Sequence, residues 1–482
     1  MRKWIAGALL FVLIIAALIN NEGKRYNGYD PDSPYIGYSG PMYSVVSLRD
    51  DDLMTVQERN VYFDFSTYQD DWFDTGYIDF LRQQEWYDAT MEKQLKELRQ
   101  FKGVYSDDVL LKDTYTIQNH SSAEETAVLV YPFVSNISEI SERRPELFLN
   151  GKQIHTDIHY GDIWDGARRV CDNTNQEYRE LLKDNAYLDH ALSEERYNLP
   201  DLPCHVYKVT YEYDPQITEK APFLRIRVSY DPSRTALTGF YCSQYPEDDE
   251  MEFSMRMYDP QINIPHYCLI LAAGEKPEDI QFSFFENGDP NLDKTSDQVT
   301  PVHTEIREMS LEEALRECSG LMFNSLQPYG QPVPGLTISE EQFFECSKEP
   351  MSHFRLFEMG DPAQEFSDMG DLFMETLTDE RLCFAVTEIP VQGNDTAAFE
   401  AVSLKKGSQC WWKEKCTGKR MYELAVNVGN VFRTDKIHAA LSHTDLIRIV
   451  ENDMGFEEKK GILETELDPQ KEYYTLIVKR KK

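Results

Sequence analysis

Two cysteines in the last quarter of the chain have the spacing of a short cross-linked loop. Cys410 and Cys416 flank the pentapeptide Trp411-Trp412-Lys413-Glu414-Lys415. A disulfide across so short a loop stabilises a fold by roughly 2–2.5 kcal/mol in the chain-entropy description. It would also hold Trp411 and Trp412 on a constrained, exposed loop, the best localised contact surface that the sequence offers. The alternative is two buried free thiols, with both tryptophans in the core.

Two histidines and three aspartates have spacings that metal ligands can adopt. His155 and His159 are four residues apart in a predicted strand, so both can face the same side. Their spacing indicates no third ligand. Asp289, Asp293 and Asp297 resemble a calcium loop, but the EF-hand spacing, its central glycine and its final glutamate are missing. We therefore interpret these residues as a strand pair and a solvated acidic turn, and predict no metal site.

One tetrapeptide matches a catalytic motif without its context. Ser403-Leu404-Lys405-Lys406 fits the S-x-x-K pattern, but it lies in a predicted strand, and the companion S-D-N and K-T-G elements are absent. The chain has no G-x-S-x-G, H-E-x-x-H, phosphate-binding loop or dinucleotide fingerprint. Paired carboxylates are not diagnostic here, because 84 acidic residues place close pairs everywhere. The sequence thus identifies no catalytic residue and no cofactor site.

Three asparagines and the aromatic residues offer surface chemistry of a different kind. Asn119, Asn136 and Asn394 each open an N-x-S/T triplet, which is a glycosylation acceptor in a host that glycosylates. Trp411, Trp412 and the 28 tyrosines can form a sugar-stacking surface. The competing interpretation places most of these aromatic side chains in a β-sheet core.

The composition is that of a globular and strongly acidic protein. The 482 residues are 41% hydrophobic and 12% aromatic, and the formal net charge is −35. Such a length provides two or three domains with proper cores. A surface this acidic repels phosphate backbones and anionic headgroups, so nucleic acid is excluded as a partner.

The N-terminal segment predicts an export signal that also serves as a membrane anchor. The apolar run Trp4–Ile19 follows the basic residues Arg2 and Lys3. Its helical length of about 24 Å is slightly short of a bilayer core of about 30 Å. We expect a signal anchor, with residues 4–19 in the cell membrane and the bulk of the chain outside the cytoplasm. Secretion after cleavage behind Ala17 is the alternative.

Period-two alternation marks most of the predicted elements as antiparallel strands with one buried face. Asn150-Gly151 predicts a hairpin turn between Glu146–Leu149 and Lys152–Tyr160. Apolar spacing predicts helices near 86–101 and 178–192, and capping boxes at Ser310 and Ser339 predict two more. The other predicted strands are Val109–Gln118, Thr126–Val134, His205–Tyr213, Leu224–Tyr230, Met251–Met257, Leu382–Ile389, Ala397–Leu404, Tyr422–Val428, Leu446–Val450 and Tyr473–Lys479.

These elements predict a mainly β (α+β) protein with β-sandwich-type antiparallel domains and helical insertions. The expected order is an N-terminal hydrophobic helix (1–19), a flexible tether (20–45), a larger β-sandwich-type domain (46–300), a helical connector (301–380) and a smaller C-terminal β-domain (381–482).

Three segments resemble parts of uncharacterised exported or membrane-anchored proteins of clostridial-type bacteria. They are Tyr115–Asn119, Val128–Val134 and Leu149–Lys152, which together form a strand with an asparagine turn, an apolar strand with Pro-Phe, and a hairpin. The resemblance covers about a tenth of the chain. It implies a β-rich head outside the cytoplasm and brings no catalytic residues with it.

Two classes of function fit these expectations. The favoured class is a non-enzymatic surface protein that binds or scaffolds a protein or a cell-wall polymer. The alternative is an extracytoplasmic hydrolase that acts on glycans through two carboxylates brought together by the fold. A concave cleft with two carboxyl groups about 5–9.5 Å apart distinguishes the hydrolase from the binding protein.

Overall fold

The chain is mostly β-structure. The computed structural model describes residues 36–37, 39–47, 53–69, 108–163, 197–212, 223–246, 250–257, 265–285, 300–325, 338–360, 369–410, 418–427, 434–458 and 463–481. Of these residues, 57% are in strands and 16% in helices, which confirms the mainly β class. The predicted apolar helix Trp4–Ile19 and the predicted helices near 86–101 and 178–192 lie outside the described residues. Within the described ranges, no helix has the length and apolar character that a membrane crossing requires.

The chain folds into two compact units, and one is inserted into the other. Unit 1 contains Met1–Ser135, Glu142–Leu192 and Glu380–Lys482, and unit 2 contains Asn136–Ser141 and Ser193–Asp379. In this division, unit 2 continues past the predicted boundary at 300 and ends at Asp379, beside the predicted boundary at 380. The predicted C-terminal domain shares its sheets with strands from the first third of the chain, and such distant pairing leaves no local sequence pattern.

The described residues of the first part of unit 1 form eight strands, and the third is followed by a short 3-10 helix, Phe65–Gln69. A short helical turn, Ile140–Arg143, precedes the sixth strand. The strands are β1 (Ile36–Gly37), β2 (Val46–Ser47), β3 (Met54–Asp64), β4 (Asp108–Asn119), β5 (Glu125–Ser135), β6 (Glu146–Leu149), β7 (Lys152–Gln153) and β8 (Asp157–Ile163).

Unit 2 follows, and its described residues form eight strands and three helices. The strands are β9 (Pro203–Tyr211), β10 (Phe223–Ser229), β11 (Thr235–Phe240), β12 (Ser243–Pro246), β13 (Glu250–Arg256), β14 (Tyr267–Gly274), β15 (Asp279–Phe285) and β16 (Val302–Ser310). The helices are α1 (Leu311–Ser325), α2 (Glu340–His353) and α3 (Met369–Thr378). The predicted helical connector therefore begins with a strand, β16, which belongs to a sheet of unit 2.

The chain then returns to unit 1, where the structure describes eight more strands. They are β17 (Arg381–Val391), β18 (Thr396–Lys406), β19 (Ser408–Cys410), β20 (Lys419–Ala425), β21 (Thr434–Ser442), β22 (Ile447–Asn452), β23 (Glu464–Leu467) and β24 (Tyr473–Arg480). Unit 1 thus has a seven-stranded sheet β23-β21-β3-β4-β18-β6-β7, a four-stranded sheet β2-β5-β17-β8 and a five-stranded sheet β1-β19-β20-β24-β22. Among the described strand pairs, only β21 and β3 run parallel.

The core of unit 1 is built where its sheets share apolar side chains. One cluster joins Val61 and Leu111 of the seven-stranded sheet to Leu424 and Val478 of the five-stranded sheet. Residues 39–47, which include the end of the predicted tether, are part of this packing, and Tyr43 is only 4% exposed. Apolar burial holds this segment against the unit.

The core of unit 2 confirms the one-sided burial that was predicted from alternating apolar residues. Its two four-stranded sheets, β12-β13-β10-β15 and β11-β14-β9-β16, supply one hydrophobic cluster. Leu224, Ile226 and Val228 of β10 are fully buried in it, while Arg225 and Arg227 between them are not. Helix α1 packs on β9 and β16, and α3 packs on β11.

Several local predictions are confirmed. Asn150 and Gly151 have φ values of 50° and 76°, as a two-residue hairpin turn requires, and they join β6 to β7. The capping boxes form at Ser310 with Glu313 and at Ser339 with Gln342. The predicted strand Lys152–Tyr160 is divided, because β7 ends at Gln153 and β8 pairs with β17 in another sheet.

Candidate functional site

The predicted disulfide loop falls largely outside the described residues. The backbone of Cys410 lies in β19 and pairs with Ile36 of β1. The Cys410 side chain, Trp411, Trp412 and Cys416 are not among the described groups, so the disulfide and the contact surface stay predictions. The six cysteines whose side chains are described are buried and form no disulfide among themselves: Cys204, Cys242, Cys268, Cys318, Cys346 and Cys383.

The two histidines considered as metal ligands occupy different settings. His155 precedes β8, and its Nε2 lies 3.1 Å from Oδ1 of the exposed Asp157. His159 lies within β8, opposite Phe384 of β17. In the described ranges, no group of three or more His, Cys, Asp or Glu side chains is arranged to hold a metal ion. The aspartates at 289, 293 and 297 lie outside those ranges.

The S-x-x-K segment forms the last four residues of strand β18 in unit 1. The Lys406 ammonium donates to Oε1 of Glu380 at 2.6 Å, and the Lys405 ammonium donates to the Ser39 carbonyl. Loss of hydration on burial, opposed by attraction to Glu380, lowers the pKa of Lys405 to about 7. Both lysines therefore have structural partners in unit 1.

Replacing Lys405 with methionine should stabilise the protein in a pH-dependent way. The folded pKa lies below the unfolded value of about 10.4, so the cost of the charged form is complete below pH 7 and disappears as pH rises towards 10. We expect a gain of about 2 kcal/mol at pH 6 that shrinks steadily up to pH 10. Urea unfolding at several pH values measures it, with Lys406→Met as the control. An equal gain in the free energy of unfolding at all pH values would contradict the lowered pKa of Lys405.

One ion pair of unit 1 lies in its interior, shielded from solvent. Arg59 of β3 and Asp113 of β4 form a two-pronged contact of 3.0 and 2.8 Å, and both are almost fully buried. The guanidinium also donates to Ser44 Oγ and to the carbonyls of Tyr43 and Ala425. Although burial alone lowers the pKa of Arg59, Asp113 raises it, which keeps the guanidinium charged.

The same network includes a buried tyrosine. Tyr115 donates its hydroxyl proton to Asp113 Oδ2 at 2.6 Å and accepts from the backbone N–H of Val45 at 3.1 Å. Burial raises the pKa of this phenol, so it stays protonated. These groups are saturated by one another, and their exposure of 0–2% gives no ligand access. The network is therefore structural: it ties residues 43–45 to β3, β4 and the end of β20.

An accessible array of polar side chains lies on the opposite side of these strands. In the seven-stranded sheet, β21, β3, β4 and β18 are consecutive neighbours, and their residues align in register. Eight side chains form two adjacent rows, which we call the outer face: His438, Asn60, Thr114 and Glu400 in one row, and Ala440, Tyr62, Lys112 and Val402 in the other.

The outer face combines one aromatic ring with hydrogen-bonding groups. Tyr62 is 37% exposed and has the small side chain of Ala440 beside it in register. Lys112 and Glu400 form an ion pair at 2.8 Å, with side chains 48% and 27% exposed. His438 is 41% exposed and lies 3.9 Å from a carboxylate oxygen of Glu58. Every member of the two rows is at least partly open to solvent.

A histidine–aspartate pair lies at the end of the same face, where the parallel strands β3 and β21 both terminate. Asp64 Oδ1 lies 2.6 Å from His443 Nδ1, and His443 has a left-handed backbone with φ of 51°. Although partial burial alone raises the pKa of Asp64, hydrogen bonds from Ser66, His443 and Ser442 outweigh it and lower that pKa. The ionised carboxylate thus fixes the orientation of the imidazole through its Nδ1.

The sequence did not identify the outer face. Strand β3 was not predicted, because a bulge at Gln57 interrupts the alternation between Val56 and Arg59. When the bulge is counted as two residues in place of one, the alternation resumes after it. The polar residues Asn60, Tyr62 and Asp64 then lie on one side of the strand. The exposed aromatic residue in that series is the signal that points to a binding face.

Comparison with known proteins does not place the chain in a family. No family model matches its sequence, no curated protein is recognisably similar to it, and no solved structure matches its fold. The resemblance to exported clostridial-type proteins accordingly stays an expectation, and the assignment of function depends on the geometry alone.

Proposed function

We propose that the chain is a binding protein whose outer face holds an extended neutral glycan. The observation that supports this is the exposed ring of Tyr62 among hydrogen-bonding side chains on a sheet surface. An aromatic ring packs against the apolar face of a sugar, while amide, imidazole and carboxylate groups bind its hydroxyls. Asn60, His438 and Glu400 provide such groups within the two rows.

The shape of the face favours a polymer over a small molecule. Neighbouring strands are about 4.8 Å apart, so the four strands span about 14 Å from the first to the last. That distance matches a short stretch of an extended chain better than a compact ligand. The net charge of −35 disfavours polyanions, which directs the proposal to an uncharged polysaccharide of the cell wall.

The proposed setting is the outside of the cell. Residues 4–19 would anchor the chain in the membrane as a signal anchor, or be removed from a secreted protein. The paired sheets of each unit, which share a hydrophobic cluster, fit a β-sandwich-type architecture. A wall polymer is the ligand that such a protein would meet.

Glycan hydrolysis is the alternative activity, and the outer face supports it less well. Hydrolysis needs one carboxylic acid and one free carboxylate on either side of the scissile bond. On this face, Glu400 is neutralised by Lys112 and Asp64 is ionised against His443. Both carboxyl groups are thus engaged by basic side chains, an arrangement that fits binding better than acid catalysis.

Replacing Tyr62 with alanine should weaken glycan binding about tenfold, which is ~1.4 kcal/mol, because the stacking surface is lost. Calorimetric titration of the full chain in mild detergent with solubilised neutral wall polysaccharide measures the affinity. Tyr245→Ala is the matched control, since Tyr245 is 39% exposed on β12 of unit 2. Its affinity should equal that of the unchanged chain.

Three outcomes contradict the proposal. The first is no measurable binding by the unchanged chain, and the second is an equal loss in both tyrosine variants. The third is the release of new reducing ends from the polysaccharide, which would establish hydrolysis instead.

A further inference from the structure

Strand β16 of unit 2 is an edge with an exposed apolar centre. Among the described strands it pairs only with β9. Residues 303–306 are exposed, and Ile306 at 46% is the most exposed large hydrophobic side chain in the described part of the chain. Edge strands with open hydrogen-bonding groups are templates for another strand.

Two hydrogen bonds at the ends of β16 show which of its backbone N–H and C=O groups point towards β9. Pro301 O accepts from Glu212 N at 2.9 Å, and Leu311 N donates to Leu202 O at 2.9 Å. Backbone groups alternate sides along an antiparallel strand, so the odd-numbered residues face β9. The N–H and C=O groups of Thr304, Ile306 and Glu308 therefore point away from the sheet.

The sequence of this edge is complementary to itself. If a second copy pairs antiparallel about a two-fold axis at Ile306, that residue meets the partner subunit's Ile306 and both backbones exchange hydrogen bonds. On the opposite side, Glu305 then lies across from the partner subunit's Arg307, and the same pair occurs a second time by symmetry. Thr304 faces the partner subunit's Glu308, so no like charges lie directly opposite one another.

Arg307 is able to bind two carboxylates at once. Its two terminal nitrogens contact Glu317 of α1 at 2.8 and 2.7 Å. A guanidinium has five N–H donors, so three remain for a second acceptor. Its side chain is 34% exposed, and Glu305 is exposed beside it.

We propose that β16 forms a symmetric dimer by pairing with β16 of a second copy of this chain. The partner is a second copy because the segment Glu305-Ile306-Arg307 is complementary to itself in antiparallel pairing. Each Glu305 then lies opposite an arginine of the other copy. Repulsion between two chains of net charge −35 opposes the association, but a Debye length of about 8 Å at physiological salt screens most of it. Pairing through a single strand is a small interface, so the dimer is reversible and concentration-dependent.

Two charge reversals test the proposal. Glu305→Arg places two positive charges opposite each other in a homodimer, and Arg307→Glu places two negative charges there. Each variant alone should be monomeric by sedimentation in mild detergent, at concentrations where the unchanged chain dimerises. An equimolar mixture should form a heterodimer, because both cross-strand pairs are then opposite in sign. Lys276→Glu, an exposed position of unit 2, is the control and should dimerise normally.

Ile306→Pro provides a second variant that leaves the ladder to β9 intact, because the N–H that it removes points outwards. It should also be monomeric while keeping the circular dichroism spectrum of the unchanged chain. The proposal is overturned if the unchanged chain is monomeric at submillimolar concentration. It is equally overturned if the single variants still dimerise, or if their mixture does not associate.

Discussion

Replacing Asp113 with alanine is expected to destabilise unit 1 by about 3–5 kcal/mol, because the variant leaves the Arg59 guanidinium charged and buried without its carboxylate. The two side chains are 1% and 0% exposed, so water cannot replace the lost partner. Tyr115 loses its acceptor in the same variant. A loss of this size is a large part of the stability of a typical domain.

Urea unfolding followed by circular dichroism measures this effect. The matched comparison is the double variant Arg59→Met with Asp113→Leu, which replaces both charges with apolar groups. Since a paired replacement removes the uncompensated charge, it should cost clearly less than Asp113→Ala alone. A single variant that loses less than about 1 kcal/mol would show that the pair is not essential to the packing of residues 43–45.

Replacing Asn119 with alanine is expected to cost about 2–4 kcal/mol, since one buried side chain joins two loops of unit 1. Its amide donates to the carbonyls of Ala123 and Val391, both at 2.9 Å, and its Oδ1 accepts from Ser121 N at 2.8 Å. The loop after β4 and the loop after β17 are held together in this way. Full burial also removes Asn119 as a glycosylation acceptor in the folded chain.

Thermal and urea unfolding of Asn119→Ala check this expectation, with Ser121→Ala as the control. The Ser121 hydroxyl is bonded only within its own exposed loop, so its loss should cost about 0.5 kcal/mol. Equal losses in the two variants would mean that the loop pairing contributes little to unit 1.

The parts of the fold that could be predicted are those encoded over a few residues. The strands of unit 2 were found because Leu224, Ile226 and Val228 alternate with charged residues, and the sheet buries them on one side. The Asn150-Gly151 hairpin and the helix starts at Ser310 and Ser339 were found because each depends on specific chemistry at two to four positions.

What could not be predicted depends on pairing between distant segments. The strands β17 and β18 have clear patterns, but nothing within them specifies that they lie between strands from residues 108–163. The bulge at Gln57 concealed β3, and with it the buried charge of Arg59. A charged residue within an apolar series can be recognised as buried only when its partner is known.

The outer face could not be predicted for the same reason, because it depends on pairing between distant segments. Its rows are assembled from β21, β3, β4 and β18, which occur in a different order along the chain. The sequence directed attention to Trp411 and Trp412 instead, because two adjacent tryptophans are conspicuous without any fold. The role of Tyr62 becomes visible only through Ala440 and Lys112, which the strand register brings beside it.

Hydroxyl-radical footprinting of the full chain, with and without neutral wall polysaccharide, tests most directly whether the outer face binds the glycan. We predict that the ligand protects Tyr62 and His438 from oxidation, while Tyr245 and Ile306 of unit 2 react equally in both samples. Protection of Trp411 and Trp412 with Tyr62 unchanged would move the contact to the predicted loop. That result, or no protection of Tyr62 at saturating ligand, would contradict the proposed binding face.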